Sequence, residues 1–387
     1  MKKKVRILFF SASRSEFGII KELIRNFRLE KRFDVQFIVS GTHLSNFYGN
    51  SIEEIRDEKI KINKKFKINI SNANFKGIKK YSEKLLKMSF DYFEKNNIDY
   101  LFIVGDRIDM FPIAMAARLK NIKICHLHGG ELTSELIDDY LRHIYTKISD
   151  FHFTANKFYR KRVIQMGENP NRVYDVGSVS IDEIKKMNFK KKKDLENILK
   201  IKLNNQIILI TYQPLSLNLN KTQKEINILM KALKKFNKKT IIFTFPNYDR
   251  GNQIIIQSIK KHKQNFDYLY MYQSLGKKNY LSLAKIANVV VGNSSSGIIE
   301  VPYLGTKVIN IGPRQKGRIK DKIIKSIDSK EYLINKNIQN ALKTNKKFNN
   351  HNIYGNGNSI KKIIKIFKNK ILFFKNNKEF FDINFKI

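Results

Sequence analysis

Cysteine, tryptophan and acidic residues are scarce in this chain of 387 residues. Its single cysteine, Cys125, excludes an internal disulfide and a zinc site built on several cysteines. Cys125 lies in an apolar segment, where we interpret it as a residue of the core. A single cysteine is typical of a protein in a reducing compartment, so we expect a cytoplasmic protein.

Long hydrophobic runs are missing as well. The apolar segment 5–10 follows a lysine-rich start, but it is too short for a signal peptide, and the polar residues 11–14 end it. No other apolar run approaches the roughly 20 residues that a membrane-spanning helix requires. We interpret the segment as a first β-strand and expect no insertion into a membrane.

Acidic residues are outnumbered to an unusual degree. The 75 lysines and arginines against 34 aspartates and glutamates give a formal net charge of +41, which commonly indicates attraction to nucleic acid or anionic lipid. Here the lysines are scattered along the whole chain, and the sequence shows neither an RNA-binding aromatic motif nor a helix-turn-helix pattern. We interpret the charge as compositional drift at exposed positions and predict no nucleic-acid partner. Some attraction of anionic substrates or membrane surfaces stays open.

Short apolar runs alternate with segments of helical spacing, which is typical of an α/β fold with parallel sheets. The strands predicted in the first half are 5–10, 33–39, 100–104, 123–126, 151–154 and 173–176, with helices that include 17–27, 81–96, 110–119 and 139–148. The strands predicted in the second half are 206–211, 240–245, 267–271, 289–291 and 307–311, with helices at 224–236, 252–263 and 280–286. The repeated rhythm predicts two Rossmann-like, doubly wound domains.

We place the domains at residues 1–180 and 200–360, followed by a C-terminal helix and tail over 361–387. A lysine-rich segment, 184–203, shows little core pattern and is predicted to connect the domains. Neither half carries Gly-x-Gly-x-x-Gly after its first strand, so a dinucleotide cofactor is not expected. We predict no cofactor and no metal ion.

The most informative stretch is 105–142, where ionisable residues gather although acids are rare elsewhere. They are Asp106, Asp109, His126, His128, Glu131, Asp138, Asp139 and Arg142. In a doubly wound sheet, ligands bind at loops that leave the carboxyl ends of strands, and Asp106 and His128 are expected at such ends. The group is therefore a candidate for proton transfer. Structural alternatives are a helix N-cap, favourable charges in the first turn of a helix, a surface ion pair and a turn histidine.

A second chemical pattern, Gly292-Asn-Ser-Ser-Ser-Gly297, joins an apolar strand to a segment that can start a helix. Serine hydroxyls can cap a helix, and exposed N–H groups at a helix start attract phosphate. Glu300 is placed to accept hydrogen bonds from a sugar diol, and Arg314 adds a fixed positive charge after the next strand. The alternative interpretation is a serine-rich turn with an N-cap.

Taken together, these motifs resemble those of the hydrolysing UDP-N-acetylglucosamine 2-epimerases of bacterial nonulosonic (sialic or legionaminic) acid biosynthesis, over about residues 7–317. The resemblance is carried by Ser13-Arg-Ser-Glu-Phe-Gly18, Ser40-Gly-Thr-His-Leu44, Gly105-Asp-Arg107, His126-Leu-His-Gly-Gly-Glu131, Ile137-Asp-Asp139, Arg142-His143, Thr146-Lys147, Gly292 to Gly297, and Gly312-Pro-Arg-Gln315. The joint match is specific. It implies a glycosyltransferase-B type fold, in which the two Rossmann-like domains face a cleft.

The resemblance also implies a two-stage reaction. UDP is eliminated from a UDP-2-acetamido sugar to leave a 2-acetamidoglucal, and water then adds with the opposite configuration at C2. The substrate would be UDP-N-acetylglucosamine or UDP-N,N′-diacetylbacillosamine, and the products UDP and a free sugar of the N-acetylmannosamine type. The catalytic residues that the match implies are Asp106, His128, Glu131, Asp138, Asp139 and Arg142.

The same match implies a set of substrate-binding residues: Arg14, His43, Gln213, Ser294, Ser295, Ser296, Gly297, Glu300 and Arg314. Arg14 and His43 have structural alternatives, as a solvated loop charge and a structural histidine. Gln213 departs from the family, which usually has a histidine there. Glutamine can hydrogen-bond to a phosphate but carries neither a proton nor a positive charge at neutral pH. Either the histidine acts mainly as a hydrogen-bond donor, which we favour, or this chain has another substrate or a weakened elimination.

Two other classes of function stay open at the level of sequence. A glycosyltransferase of the same fold would need the UDP site but not the acid-rich stretch in the first domain. The third class is a non-catalytic sugar-nucleotide or nucleic-acid-binding protein. We predict the epimerase, with a UDP-sugar as its small-molecule partner and, by analogy with the family, a homo-oligomer.

Overall fold

The structure, a computed structural model, describes residues 4–46, 51–70, 74–264, 266–343, 353–374 and 376–383. Its contacts divide the chain into two compact units. The first unit draws on Met1–Glu131, Ile137–Lys186 and Tyr354–Ile387, and the second on Leu132–Leu136 and Met187–Ile353. The chain therefore leaves the first unit for a short segment directly after Glu131.

The strands of the first unit form one parallel sheet. They are β1 (Val5–Ser11), β2 (Phe33–Val39), β3 (Lys64–Lys65), β4 (Tyr100–Val104), β5 (Lys123–Leu127), β6 (Phe151–Thr154) and β7 (Val173–Asp175). In the described ranges the sheet has seven strands in the order β3-β2-β1-β4-β5-β6-β7. Every residue of β4 is buried, as expected for a parallel strand covered on both faces.

Helices surround this sheet. They are α1 (Arg14–Arg28), α2 (Ile52–Asp57), α3 (Phe75–Lys95), α4 (Phe111–Leu119), α5 (Ile137–Ile148), α6 (Lys157–Gln165) and α7 (Val179–Lys186). Ser13 starts α1, because the Glu16 carboxylate accepts the Ser13 backbone N–H at 3.0 Å. The apolar face of α1, with Phe17, Ile20 and Phe27, is buried in the core.

The second unit repeats this design. Its strands are β8 (Ile207–Thr211), β9 (Thr240–Thr244), β10 (Leu269–Tyr272), β11 (Val289–Gly292), β12 (Lys307–Ile311) and β13 (Ile324–Ile327), and its helices are α8 (Lys192–Leu199), α9 (Leu219–Leu233), α10 (Asn252–Lys263), α11 (Gly276–Ile286), α12 (Ser296–Ile299) and α13 (Glu331–Leu342). The described strands are parallel and run in the order β10-β9-β8-β11-β12-β13. The predicted α/β fold with two Rossmann-like domains is confirmed.

The C-terminal helix, α14 (Ser359–Asn369), joins the core of the first unit. Its Phe367 ring meets the rings of Phe27 and Tyr100 edge-on, with centroids 5.3 and 4.8 Å away. The sequence-based division set residues 361–387 apart as a helix and tail, whereas these contacts are with the first unit. With α14 included, no helix in the described ranges is long and apolar enough to cross a membrane.

The segment 184–203, which the sequence predicts as the connection between the domains, buries more apolar residues than the prediction of little core pattern implies. It contains the end of α7 and all of α8, and it buries Leu195, Leu199 and Leu203. Leu195 and Leu199 lie one turn apart on α8, on a face that the surrounding lysines obscure in the sequence, and Leu203 follows the helix. The contacts divide the two units between Lys186 and Met187.

Each sheet has a topological switch point, where strand order reverses between neighbouring strands. The switch lies between β1 and β4 in the first sheet and between β8 and β11 in the second. Loops that leave the carboxyl ends of strands at such points bind ligands in doubly wound folds. These loops lead to Arg14 and Asp106 in the first unit, and to Gln213 and Ser294 in the second.

Candidate active site

Arg142 is the centre of a buried polar group in the first unit. It lies on α5, and its side chain is fully buried. One terminal nitrogen donates to Asp139 Oδ1 at 2.8 Å and to the Glu131 carbonyl at 3.1 Å, and the other contacts the Asp106 carboxylate. A buried guanidinium needs such acceptors, because they replace its lost hydration. We call Asp106, His128, Glu131, Asp139 and Arg142 the acid cluster.

His128 and Glu131 complete the acid cluster. His128 directly follows β5 with φ +67°, a left-handed backbone that is unfavourable for a residue with a Cβ. Its Nδ1 lies 3.0 Å from Oε1 of the buried Glu131, and its Nε2 lies 3.3 Å from Ser178 Oγ. Gly130 shapes the turn between them, since a Cβ there would lie 2.4 Å from the Tyr159 carbonyl oxygen.

Asp138 and Asp139 stand in the first turn of α5, and both are half-buried. Asp139 contacts Arg142 and also lies 3.7 Å from Nε2 of His143. Negative charges are favourable at a helix N-terminus, so both acids also stabilise the helix itself. The structural alternative for this pair, favourable charges in the first turn of a helix, is therefore compatible with the proposed role in proton transfer.

Arg14 and His43 follow β1 and β2 in the same sheet, where the two side chains differ in exposure. Arg14 is the first residue of α1, and one third of its side chain is exposed. His43 is fully buried, and its two ring nitrogens lie 2.8 Å from the hydroxyls of Ser11 and Ser51. Burial lowers the pKa of His43 to about 3. A neutral histidine with both nitrogens occupied matches the structural alternative.

Glu16 and Asp109 form a buried pair of carboxyl groups beside Arg107. Asp109 Oδ2 is 3.0 Å from Arg107 Nη2, and Glu16 Oε1 is 3.7 Å from Arg107 Nε. Glu16 Oε2 accepts backbone N–H groups of Ala12 and Ser13, whereas Oε1 has no hydrogen-bond partner among the described residues. Burial, followed by the Asp109 charge, raises the pKa of Glu16 to about 7. Asp109 thus partners Arg107 and stands outside the acid cluster.

In the second unit, the glycine-serine loop leads from β11 into α12. Gly292 has φ +142°, and a Cβ there would lie 1.9 Å from the Thr211 carbonyl oxygen, so only glycine lets the ends of β8 and β11 approach. Ser294, Ser295 and Ser296 are half-buried, whereas Gly297 is buried. Ser296 Oγ lies 2.7 Å from the Tyr280 hydroxyl. Half-exposed hydroxyls of this kind can donate to an anion.

Asn293, within this loop, hydrogen-bonds to both Gln213 and Arg314. Its side chain accepts the Gln213 backbone N–H at 2.6 Å and donates to the Gln213 carbonyl at 2.9 Å. Its own carbonyl accepts from Arg314 at 3.2 Å. The Gln213 side-chain oxygen accepts the Asn247 backbone N–H at 2.9 Å, so the amide NH2 group points away from Asn247.

Glu300 lies just beyond α12 and is half-buried. Its Oε1 is 3.8 Å from the Lys277 ammonium. Burial raises the pKa of nearby Tyr280 to about 12, so the tyrosine hydroxyl stays protonated at neutral pH. Lys277 and Tyr280 are therefore additional polar groups beside the serine-rich loop.

The segment Leu132–Leu136 belongs to the second unit by its contacts. The Ser134 backbone N–H donates to the Arg314 carbonyl at 3.2 Å. Glu135 pairs with Lys221 at 2.6 Å and accepts the Leu217 backbone N–H at 3.2 Å. Directly after Glu131 the chain thus enters the second unit, where Ser134 bonds to Arg314, a predicted substrate-binding residue.

The structure brings five of the six predicted catalytic residues into one hydrogen-bonded cluster, with Asp138 in the adjoining turn. His126, which the sequence also singled out, is buried with Nε2 2.8 Å from the Gly105 carbonyl oxygen. Sequence reasoning missed Ser178 and Asn293. Asn293 stands inside the glycine-serine motif and could have been noticed there. Ser178 gives no local signal, because its partner lies 50 positions away.

Comparison with known proteins gives a consistent result. A sequence profile of the family described as "UDP-N-acetylglucosamine 2-epimerase" matches residues 25–368. The "GDP/UDP-N,N'-diacetylbacillosamine 2-epimerase (hydrolyzing)" of Campylobacter jejuni is 39% identical over 342 residues, which cover 85% of this chain and 89% of that protein. "Polysialic acid biosynthesis protein P7" of Escherichia coli is 34% identical over 320 residues, which cover 81% of this chain and 80% of that protein.

A solved structure shows the same fold. The UDP-GlcNAc 2-epimerase from Neisseria meningitidis, crystallised with UDP-GlcNAc, matches with a TM-score of 0.79 at 18% sequence identity. The match covers 95% of this chain and 100% of the other. Together with the profile and the 39% identical relative, these findings favour the epimerase over the transferase and the non-catalytic protein. The chain belongs to the hydrolysing UDP-N-acetylglucosamine 2-epimerase family and is an enzyme of that type.

Proposed function

We propose that this enzyme converts a UDP-linked 2-acetamido sugar into UDP and a free 2-epimerised sugar. In the first stage a base removes the proton from C2, and the bond between C1 and the diphosphate oxygen breaks. UDP leaves, and a C1=C2 double bond remains in the 2-acetamidoglucal. In the second stage water adds a hydroxyl group to C1, and a proton returns to C2 in the opposite configuration.

The acid cluster around Arg142 is the observation that carries this proposal. The C2 proton is very weakly acidic, so a base must be held beside it. Asp106 and Asp139 each give an oxygen to Arg142 while their side chains stay 21% and 26% exposed, which leaves carboxylate surface for a substrate. We assign the two proton transfers at C2 to the carboxyl groups of Asp106, Glu131, Asp138 and Asp139. Arg142 and His128 hold these acids in place.

The residues around the ends of β8 and β11 are proposed to bind UDP. Charge develops on the departing diphosphate, and fixed hydrogen-bond donors and cations stabilise it. The donors proposed are the hydroxyls of Ser294, Ser295 and Ser296, the backbone at Gly297, the Gln213 amide and the Arg314 guanidinium. Arg14, which follows β1 in the first unit, is proposed as a further cation for the diphosphate. Glu300 is proposed to accept from the ribose diol. His43, with both nitrogens engaged by serines, is proposed to shape the site without touching the sugar.

UDP-N,N′-diacetylbacillosamine is the first sugar to test, because the 39% identical Campylobacter protein is named for that substrate. UDP-N-acetylglucosamine is the second. The same name includes GDP, so the GDP-linked sugar belongs in the comparison. A cytoplasmic location and a homo-oligomeric assembly stay predictions from the sequence.

The test is incubation of the purified protein with each nucleotide sugar in deuterated water, followed by NMR of the products. The proposal expects released nucleotide and a free 2-epimerised sugar that carries deuterium at C2. Asp106→Asn should abolish both signals, whereas Asp91→Asn, at an exposed position on α3, should leave them unchanged. If every sugar stays intact while UDP still binds, the reaction is wrong and acceptors for a transferase should be tried.

A further inference from the structure

Ser178 touches the acid cluster although no sequence motif marks it. It lies in the turn between β7 and α7 and is fully buried. Its hydroxyl is 3.3 Å from His128 Nε2 and 2.9 Å from the Ser180 hydroxyl. Its backbone is fixed as well, because its N–H donates to the Tyr354 carbonyl at 2.7 Å and its carbonyl accepts from the Ser359 hydroxyl at 3.2 Å.

The directions of these hydrogen bonds follow from the groups involved. A carboxylate only accepts, so His128 Nδ1 must carry the proton that it shares with Glu131 at 3.0 Å. In a neutral imidazole the other nitrogen, Nε2, is then an acceptor. Ser178 has one O–H to donate to Nε2, and its oxygen can accept from Ser180. One consistent chain of donors therefore runs from Ser180 through Ser178 and His128 to Glu131.

We propose that Ser178 is a positioning residue of this active site, whose hydroxyl bonds to His128 Nε2 and holds the imidazole ring where Nδ1 donates to Glu131. In that orientation His128 fixes the direction of the Glu131 carboxylate. The effect on turnover rests on the proposed function, whereas the bond between His128 and Glu131 is a property of the free protein. Alanine at position 178 would leave Nε2 without this partner.

The surroundings of His128 support an indirect role. Both of its ring nitrogens are engaged inside the protein, one by Glu131 and one by Ser178. Its left-handed backbone holds the ring in this direction, with φ +67°. The order carboxylate, imidazole Nδ1, imidazole Nε2, hydroxyl is one in which the two partners together fix the orientation of the ring. His128 therefore acts through Glu131.

The experiment is NMR of the full-length protein labelled with ¹⁵N-histidine, in which His128→Gln identifies the His128 signals among the seven histidines. The wild-type protein should show an Nδ1–H signal shifted to low field by its bond to the Glu131 carboxylate. Ser178→Ala should move this signal toward that of a weakly bonded N–H and lower kcat by about tenfold, the rate equivalent of one ordinary hydrogen bond, with little change in KM. Ser178→Thr, which keeps the hydroxyl, should restore both the signal and turnover.

Ser89→Ala is the matched control, because Ser89 is a buried serine of the same unit whose hydroxyl donates to the Leu85 carbonyl at 2.7 Å, within α3. It should keep the Nδ1–H signal and a kcat within about twofold of wild type. Should Ser178→Ala fail to fold, Ser178→Cys keeps the size with a weaker donor and should move the signal part of the way.

Two results would overturn the proposal: a wild type in which Nδ1 carries no proton, or an unchanged Nδ1–H signal in the alanine or cysteine variant. In the second case a loss of turnover would mark Ser178 as merely structural. If the wild type turned over no nucleotide sugar, the proposed function would fail, yet the comparison of Nδ1–H signals would still decide the role of Ser178.

Discussion

The two groups of predicted site residues are held in different ways. In the first unit the charged groups bond to one another, with the buried Arg142 joining acceptors that follow β4, follow β5 and begin α5. In the second unit the serines at 294–296 are half-exposed and bond mainly to neighbours within the loop and to Tyr280. The acid cluster is therefore preorganised by its own contacts, whereas the serine-rich loop presents donors to whatever ligand arrives.

This difference predicts which property, stability or ligand affinity, a substitution in each group changes. Removing a member of the acid cluster strands its buried partners, so stability and activity should fall together. Replacing a group beside the serine-rich loop strands little, so ligand affinity should change more than stability. Each of the following experiments tests one side of that contrast.

The largest effect is expected from Arg142→Met. The change removes the positive charge between Asp106 and Asp139 and leaves the Glu131 carbonyl without its donor. Loss of one partner from a buried ion pair destabilises a protein by about 3–5 kcal/mol. Misplaced catalytic acids should also slow release of UDP by roughly 100-fold or more. Urea unfolding followed by circular dichroism and a UDP-release assay would measure the two effects.

Arg118→Met is the matched control for Arg142. Arg118 pairs with Asp150 at 3.2 Å in the same unit, but about a third of its side chain is exposed. Partly exposed pairs contribute about 0–1 kcal/mol, so this variant should stay near wild type in both assays. If Arg142→Met were no worse than Arg118→Met, the acid cluster would not be held by Arg142.

A smaller loss is expected from Lys378→Met, because Lys378 supports the same helix from the end of the chain. Its ammonium donates to the Lys147 and Ser149 carbonyls at 2.6 and 2.9 Å and lies 2.7 Å from the buried Glu168. A cation at the C-terminus of α5 complements the helix dipole by up to about 2 kcal/mol. The unfolding midpoint should fall by the equivalent of that amount.

Lys368→Met controls for the loss of a lysine from the same C-terminal region. Lys368 pairs with Glu30 at 2.7 Å, and both side chains are about 30% exposed, so the change should cost less than about 1 kcal/mol. Equal midpoints for the two lysine variants would show that Lys378 contributes no more than a surface charge.

Much of the fold and of the acid cluster could be predicted because the pattern is local. A parallel strand covered on both faces is a continuous apolar run, and the predicted strand 100–104 coincides with β4. Asp106 and His128 stand within two residues of the ends of β4 and β5, so the rule that ligands bind at strand ends predicts from the sequence that they share a site.

The parts that could not be predicted depend on partners far apart in the chain. Lys378 contacts a carbonyl 231 positions earlier, and α14 inserts Phe367 beside Phe27 from the opposite end of the sequence. No periodicity encodes such pairs. Lysine-rich composition hid other elements, since β3 consists of two lysines and α8 shows its leucines only at every fourth position.

On the other side of the contrast, Gln213→Glu should change binding more than stability. One carboxylate oxygen can still accept the Asn247 N–H, while the other puts a negative charge in place of the amide NH2. Repulsion from the diphosphate should weaken UDP binding by about tenfold, the equivalent of about 1.4 kcal/mol, in titration calorimetry. Because Gln213 is buried, the new carboxylate also loses hydration, and the unfolding midpoint should fall, but by less than in Arg142→Met. Gln213→His should leave turnover nearly unchanged if a hydrogen-bond donor is all that this position requires.

Gln223→Glu makes the same charge change at an exposed position on α9 of the same unit. It should leave UDP affinity unchanged. A loss of affinity in Gln223→Glu that equals the loss in Gln213→Glu would trace the effect to the net charge of the protein. A large gain in turnover by Gln213→His would contradict the interpretation of position 213 as a simple donor.

The smallest effect, and the only stabilising one, is expected from Glu16→Gln. The pKa of Glu16 is raised from 4.5 to about 7 in the folded protein, first by burial and then by Asp109. Below pH 4.5 both folded and unfolded chains hold the proton, whereas from there to about pH 7 only the unfolded chain releases it. Stability is therefore lost as pH rises through this window and stays low above it.

Glutamine imitates the protonated acid and keeps an oxygen for the backbone N–H groups of Ala12 and Ser13. Relative to wild type, Glu16→Gln should thus gain at least about 1 kcal/mol between pH 4.5 and pH 8, measured as urea unfolding midpoints at the two values. Glu22→Gln on the same helix, where the acid pairs with Arg25 near the surface, controls for removal of a negative charge from a basic protein. An equal gain in both variants would mean that the loss of a negative charge raises stability by itself. The buried carboxyl pair beside Arg107 would then not destabilise the folded protein.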